Sequence, residues 1–197
     1  MHKRAEIKIS GYMKPFLYHA FPLSALSPDK VQGGTPGNDP TEWRLTVLHK
    51  GRRLFVPGEY IFSSLGEGAK YVKLGRGTIQ KKLLSSLMIE GENFFVENRE
   101  LPENLDDLPN HDPDKDDVYI DVRSVKNPNT KGRNVRYRVS MAPGWELSFS
   151  ALWDPRHVSE GQFEQALYAS GAYCGLGDGR IRGFGRFKVD SIELSDA

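Results

Sequence analysis

The stretch GAYCGLGDGRIRGFGRFKV, residues 171–189, contains six glycines and four cationic side chains, and Asp178 is its single acid. It follows a predicted helix and precedes a predicted final strand. One glycine is enough to cap a helix, whereas five lie between 175 and 185. Because a bare backbone permits close approach, the stretch predicts a loop that holds a phosphate chain with its N–H groups and flanking arginines. The alternative is that Gly175 caps the helix and the other glycines only form a turn.

Two common glycine motifs do not fit this stretch. A dinucleotide fingerprint follows a strand and opens a helix, whereas Gly175 and Gly177 follow a predicted helix. A phosphate-binding P-loop ends in Gly-Lys-Ser or Gly-Lys-Thr, and the stretch contains neither tripeptide. The sequence therefore argues against both kinds of nucleotide site.

Apolar periodicity predicts the other elements. One helix is predicted over 55–74, and another opens at Ser159, where Gln162 completes a capping box. Gly66 and Gly68 in the first helix indicate either a close backbone approach or a helix that ends near Gly66. Residues 13–42 are predicted to form a long loop. The predicted strands are 5–12, 43–49, 83–96 (one strand or a pair), the two arms of a hairpin over 118–143, 145–154 and 185–194.

This order of elements predicts the fold class. The predicted order is strand, helix, strand, hairpin insertion, strand, helix, strand. Apart from the insertion, this order consists of two β-α-β halves. Such halves form an α+β, ferredoxin-like (RRM-like) sandwich, in which two helices cover one face of an antiparallel sheet. The expected additions are a β-hairpin insertion and a glycine-rich loop before the last strand.

Composition limits the kind of protein. Cys174 is the only cysteine among 197 residues, which argues against an intrachain disulfide or a cysteine-based zinc cluster and is typical of a reducing compartment. No apolar run approaches the ~20 residues of a membrane helix. The start, MHKRAEIKISGY, is too polar for a secretory signal. We therefore expect a cytoplasmic protein without a membrane partner.

Charge is segregated along the chain, although the net charge is only +1. Residues 68–89 and 122–145 contain cations and no acid, while acids concentrate in 97–121. Cations along a groove bind phosphates by releasing counterions, so the pattern predicts a polyanion site. The alternative is that the acidic segment neutralises the basic face. The predicted nucleic-acid contacts are Lys70, Lys73, Arg76, Arg123, Lys131, Arg133, Arg136, Arg138, Gly175, Gly177, Gly179, Arg180, Arg182, Gly183, Gly185 and Arg186.

Three motifs in order resemble the RAMP superfamily, the repeat-associated proteins of CRISPR effectors. GLGDGRIRGFGRFKV resembles that family's glycine-rich loop, GxGxxxxxGFG, before the last strand of a ferredoxin-like fold. FVPGEYIFSSLGEGAK resembles its first-helix signature, although Glu59 and Tyr60 differ from the usual Pro-Gly-Ser-Ser pattern. KISGYMKPFLYH resembles a first strand that ends in glycine, and the hairpin lies where backbone subunits carry a thumb-like hairpin.

The resemblance implies a single RAMP-like domain over 1–197, with 97–143 as an insertion of acidic loop and hairpin. It also implies that single-stranded nucleic acid, either RNA or DNA with RNA favoured, is held by shape and backbone and not by base sequence. Homo-oligomers along the strand and other effector subunits are the implied protein partners. A standalone relative from a phage or mobile element is the alternative context.

Catalysis is a separate hypothesis. Some RAMP proteins cut RNA with a histidine general base, and His19 after the first strand is the weak candidate here; such a base needs a partner in reach. The run Asp112, Asp114, Asp116 and Asp117 lacks the glycine and terminal glutamate of a calcium loop. We therefore expect no metal and no cofactor.

Three functions remain open from the sequence. The first is a non-catalytic nucleic-acid-binding subunit. The second is a metal-independent endoribonuclease of the same fold. The third is an assembly module, in which the acids of 97–121 contact the basic hairpin of the next copy.

Overall fold

A computed structural model describes residues 2–20, 39–110, 116–126 and 131–197. The helices are α1 (Trp43–Thr46), α2 (Gly58–Gly68), α3 (Gln80–Leu84) and α4 (Glu160–Ala169). The strands are β1 (Lys3–Gly11), β2 (Phe16–Leu17), β3 (His49–Lys50), β4 (Arg53–Pro57), β5 (Lys73–Leu74), β6 (Gly77–Thr78), β7 (Met88–Ile89), β8 (Asn93–Glu100), β9 (Val118–Lys126), β10 (Arg133–Met141), β11 (Glu146–Trp153) and β12 (Phe187–Asp196).

A four-stranded antiparallel sheet organises the fold. Its strands lie in the order β12-β1-β11-β7, and each neighbouring pair is antiparallel. Helix α2 lies between β1 and β7 along the chain, and α4 lies between β11 and β12. This is the ferredoxin-like β-α-β-β-α-β arrangement, so the predicted fold class is confirmed.

Alternating residues of the sheet form the core. Ala5, Ile7 and Ile9 on β1 are buried, while Lys8 and Glu6 between them lie on the other face. Trp153 of β11 stacks on Phe163 of α4, with ring centroids 4.0 Å apart and an interplanar angle of 3°. Within the described ranges, no helix is long and apolar enough to cross a membrane.

Both major helices are observed, but the first is shorter than the predicted 55–74, because 55–57 belong to β4 and 73–74 form β5. The segment predicted as strand over 83–96 contains two strands, β7 and the first part of β8, while its first two residues end α3. Ser159 Oγ accepts a hydrogen bond from the Gln162 amide, and Gln162 Oε1 accepts one from the Ser159 amide, so the capping box at α4 is confirmed. Helix α2 continues through Gly66 to Gly68. A Cβ at Gly68 would lie 2.3 Å from the Ala166 carbonyl oxygen, which confirms a close approach of the two helices. The α-helix ends there, and a 3₁₀ turn follows over Ala69–Tyr71.

The predicted hairpin is observed, and two other segments differ from their predictions. Strands β9 and β10 pair antiparallel over nine residues each, and β10 also pairs with β2. Residues 43–49 were expected to be a strand; 43–46 form α1 instead, because Trp43 and Thr46 bury the same helical side. The exposed acidic loop was expected from residue 97, but β8 continues to Glu100 and Leu101 is buried. Residues 21–38 of the predicted long loop lie outside the described residues.

Candidate nucleic-acid interface

The glycines of the loop are required by the protein's own packing. The φ angles of Gly175, Gly177, Gly179, Gly183 and Gly185 all lie between 66° and 85°, a region that side-chain-bearing residues rarely adopt. A Cβ at Gly185 would lie 1.8 Å from the Leu176 carbonyl oxygen. One at Gly177 would lie 2.6 Å from the Leu17 carbonyl oxygen. The loop therefore needs these glycines before any ligand is considered.

Several backbone N–H groups that were expected to hold phosphate already donate within the chain. The Gly175 amide donates to the Ser170 carbonyl, and the Gly183 amide donates to the Arg180 carbonyl. The Gly185 amide donates to Pro15, and the Gly179 amide donates to the Asp178 carboxylate. Arginine side chains, rather than these four amides, are therefore the donors that the loop offers.

Three arginines of the hairpin anchor it to its surroundings. Arg138 is buried and donates to the Asp178 carboxylate of the loop. Arg123 donates to Asp121 at 2.7 Å, and its guanidinium lies 4.8 Å from the centre of the Phe184 ring. Arg136 pairs with Glu42. The three were predicted to contact nucleic acid; each has an internal partner that explains its presence.

The other predicted cations differ in their surroundings. Lys70 pairs with Glu67 at 2.7 Å, and exposed Arg133 donates to Ser124 at 3.4 Å. Lys131 is exposed at the end of the hairpin. Arg186 has a buried Nη1 without a hydrogen-bond partner in the described part of the chain. Lys73, Arg76, Arg180 and Arg182 are among the cations that have no ion pair with a described carboxylate.

The acidic segment pairs mostly with cations outside the basic hairpin. Arg52 lies 3.3 Å from Glu100, and Arg99 lies 3.2 Å from Asp117. Asp106 pairs with Arg44. Among the described residues, these contacts neutralise the acids locally and do not cover Arg180 or Arg182.

A cavity of about 210 Å³ adjoins the loop. It is lined by His19, Tyr60, Ser63, Gly177, Asp178 and Arg180. His19 Nε2 lies 3.6 Å from Glu42 Oε1, and its Nδ1 lies 3.8 Å from Asp178 Oδ2. Both distances are longer than a hydrogen bond. The candidate histidine therefore stands between two carboxylates, each of which also binds an arginine of β10.

Burial changes the acidity of two groups beside the loop. It raises the pKa of the Tyr60 phenol, and the nearby Asp178 carboxylate raises it further. Tyr60 therefore remains a hydrogen-bond donor at neutral pH. Burial likewise raises the pKa of the Cys174 thiol. A protonated thiol is a poor nucleophile, so Cys174 is not a candidate for covalent catalysis.

A second cavity has a volume of about 190 Å³. It is lined by Glu67, Tyr71, Tyr173, Cys174, Arg180 and Ile181. Arg180 lines both cavities. Tyr60, Ser63 and Glu67 follow the helical spacing that places residues on one side of α2. We call this surface between α2 and the glycine-rich loop the α2–loop groove.

The groove includes aromatic residues that the sequence analysis did not identify. Tyr71 and Tyr173 lie far apart in the chain, and only the contact between the ends of α2 and α4 brings them together. The repeat of Tyr60, Ser63, Glu67 and Tyr71 was the one signal in the sequence that could have indicated a polar edge on the helix.

The open face of the sheet is a poor alternative site. RRM proteins stack bases on aromatic side chains of this face. Here Lys8 bridges Glu146 at 2.8 Å and Glu97 at 3.4 Å, and Arg4 binds Glu90 and Glu6. No aromatic residue lies among the outward positions of β1 and β11. Paired charges therefore occupy the surface that an RRM uses for RNA.

No group of three potential metal ligands occurs among the residues described. Asp112 and Asp114 of the acidic run lie outside those residues. The expectation of no metal and no cofactor therefore stays a prediction.

Comparison with solved structures agrees with the observed topology. A chain from the cryo-EM structure of the Type III-B Cmr-beta bound to cognate target RNA matches with a TM-score of 0.53 and 11% identity. The match covers 98% of the present chain, which spans 60% of the length of that solved chain. No protein family and no curated protein matches the sequence. The similarity, at this identity, shows that the two chains share a fold.

Proposed function

We propose that this protein binds single-stranded RNA without base specificity, as a RAMP-type subunit of a CRISPR-like effector. The observation that carries the proposal is Arg180, which lines both cavities of the α2–loop groove and has no ion pair with a described carboxylate. Such a cation gains more from a phosphate than one already neutralised. Arg182 is exposed two residues further along the same loop.

The shared fold supports the choice of polymer and partners. The solved neighbour is bound to cognate target RNA, which favours RNA over DNA for the present chain. We further propose a single domain with 97–143 as an insertion, copies arranged along one strand, and other effector subunits as partners.

The proposed contacts form two groups. Arg180, Arg182, Lys73 and Arg76 contact phosphates. Arg138 and its neighbours on the hairpin hold the glycine-rich loop in place, and the loop glycines allow its conformation. The division explains why a chain with net charge +1 keeps so many arginines near one loop.

The double variant Arg180→Ala/Arg182→Ala tests the proposal. Its affinity for single-stranded RNA should fall at least about tenfold, and equally for all sequences, because phosphate contacts carry no base information. For every phosphate that the variant no longer neutralises, the slope of log affinity against log salt should decrease by about 0.7. Fluorescence polarisation with labelled single-stranded RNA of several sequences measures both quantities.

A charge-matched control is Lys50→Ala/Arg53→Ala on β3 and β4, which removes two cations that line neither cavity. Its affinity should remain within about twofold of the wild-type value, since the charges removed lie outside the groove; circular dichroism should show that it is folded, because Arg53 also lies over the Phe95 ring. A base-selective loss in the loop variant, or wild-type binding that does not respond to salt, would refute a backbone-directed site.

The arrangement around His19 favours one second candidate, a metal-independent endoribonuclease. His19, Tyr60, Ser63 and Arg180 line one cavity. In its neutral form His19 would accept the ribose 2′-OH proton while the 2′ oxygen attacks the adjacent phosphorus. A 2′,3′-cyclic phosphate forms, the bond from phosphorus to the 5′ oxygen breaks, and the 5′ oxygen takes a proton from water. A positioned general base typically contributes about 10²–10⁴-fold to a rate.

His19→Ala should therefore lower the cleavage rate of structured RNA in EDTA by about 10²-fold or more. His49→Ala is the matched control, because His49 lies on β3 and contacts the Gly51 carbonyl. Gel analysis of labelled RNA measures the rate. Intact RNA with the wild-type protein would reject the enzyme and leave the binding function in place.

A further inference from the structure

Two tyrosines form an exposed aromatic pair at the end of the α2–loop groove. The ring centroids of Tyr71 and Tyr173 lie 4.8 Å apart, at an interplanar angle of 33°. Each residue still exposes 58% of its surface, and Ile181 beside them is completely exposed. Large aromatic rings that contact each other and remain in solvent are available to a ligand.

The backbone after α4 places one of these rings. Ser170–Cys174 forms a π turn, in which Cys174 is buried and Tyr173 is exposed. Such turns are rare and frequently occur at functional sites. Tyr71 ends the 3₁₀ turn that follows α2. Two irregular helix ends therefore present the tyrosines together.

The charges around the pair are mostly positive. Lys70, Lys73 and Arg76 lie within five residues of Tyr71 in the chain, and Arg180 lines the cavity that the tyrosines share. The acid of that cavity is Glu67, which Lys70 neutralises at 2.7 Å. Exposed aromatic rings beside phosphate-binding cations are the usual features of a single-strand binding surface.

We propose that Tyr71 and Tyr173 form a stacking site for one base of the bound single strand, while Arg180 contacts its phosphate. This inference rests on the proposed function and adds the site that takes the base. Stacking tolerates every base, since each has a π face, and so agrees with binding that ignores sequence. The alternative occupant is a protein partner, and a stable protein interface usually buries about 800 Å² per partner. The cations around the tyrosine pair favour a polyanion over such a partner.

The test compares Tyr71→Ala/Tyr173→Ala with Tyr71→Phe/Tyr173→Phe. The probes are a labelled single-stranded RNA 12-mer and an abasic oligomer of equal length. The alanine pair should bind the RNA about tenfold more weakly with an unchanged salt slope, because it removes base stacking and keeps the phosphate-binding cations. It should bind the abasic oligomer like the wild type. The phenylalanine pair, which keeps both rings, should bind RNA normally.

The control is Tyr168→Ala, which removes a tyrosine of α4 that is 53% exposed and lines neither cavity. It should bind RNA normally, and circular dichroism should show that all variants are folded. Normal RNA binding by the folded alanine pair would overturn the stacking site while the Arg180/Arg182 result still tests the proposed function. A loss of self-association with normal RNA binding would assign the pair to protein contact and also overturn it.

Discussion

Gly185→Ala is expected to lower the free energy of unfolding by about 4 kcal/mol or more, the range reached when a substitution breaks buried packing or strained backbone. The new methyl group would lie 1.8 Å from the Leu176 carbonyl oxygen, so the backbone would have to move. That movement breaks the hydrogen bond from the Leu176 amide to the Gly185 carbonyl. The residue would also keep a φ of 66°, which adds roughly 1–2 kcal/mol. Urea denaturation followed by circular dichroism measures the change.

Two other glycines separate steric conflict from backbone preference. Gly183 has a φ of 85° with no atom closer than 3.7 Å to an added Cβ, so Gly183→Ala should cost only about 1–2 kcal/mol. Gly161 in α4 has open space around it, and Gly161→Ala should stabilise the protein by about 0.5–1 kcal/mol. Equal midpoints for the Gly185 and Gly183 variants would show that packing of the loop does not limit stability.

Local signals in the sequence predicted the ferredoxin-like fold. Ser159 and Gln162 mark the start of α4 because a capping box is satisfied within three residues. The alternation of Ala5, Ile7 and Ile9 follows from one buried face of a strand. Gly68 predicted a close backbone approach because a glycine in a helix interior lowers helix stability. The contact of α2 with α4 at this residue is that approach.

These local signals could not predict contacts between segments that are distant in the chain. The arginines of 122–145 were interpreted as an open basic track, yet Arg138 contacts Asp178 and Arg136 contacts Glu42. Each partner lies at least 40 residues away in sequence. Charge counted along the chain does not show which cations are neutralised after folding. The Tyr71–Tyr173 pair was also missed, because its two residues lie far apart in the chain and come together only in the folded protein.

The hairpin and the glycine-rich loop form one structural unit through Arg138. Its guanidinium donates to Asp178, and opposite it in the β9–β10 register lies buried Asp121. Elsewhere in the loop, Arg123 and Lys14 both lie over the Phe184 ring. The hairpin therefore determines where the loop presents Arg180.

Arg138→Ala should lower the free energy of unfolding by about 2 kcal/mol, less than the cost of breaking a fully buried ion pair, because the Asp178 side chain remains 39% exposed. Arg138 is only 5% exposed, so its removal leaves a void as well as a carboxylate without this partner. Because Asp178 lies in the loop that carries Arg180, RNA affinity should also fall. Urea denaturation and polarisation on the same preparation measure the two effects.

Arg133→Ala on the same strand is the matched control, because it removes an exposed arginine whose side chain donates to Ser124 within the described part of the chain. Its stability should change by no more than about 0.5 kcal/mol. Arg138→Lys retains the charge but not the planar guanidinium, and should be intermediate between the wild type and Arg138→Ala. If Arg138→Ala kept full stability and lost only RNA affinity, its guanidinium would be a direct RNA contact and not the anchor of the loop.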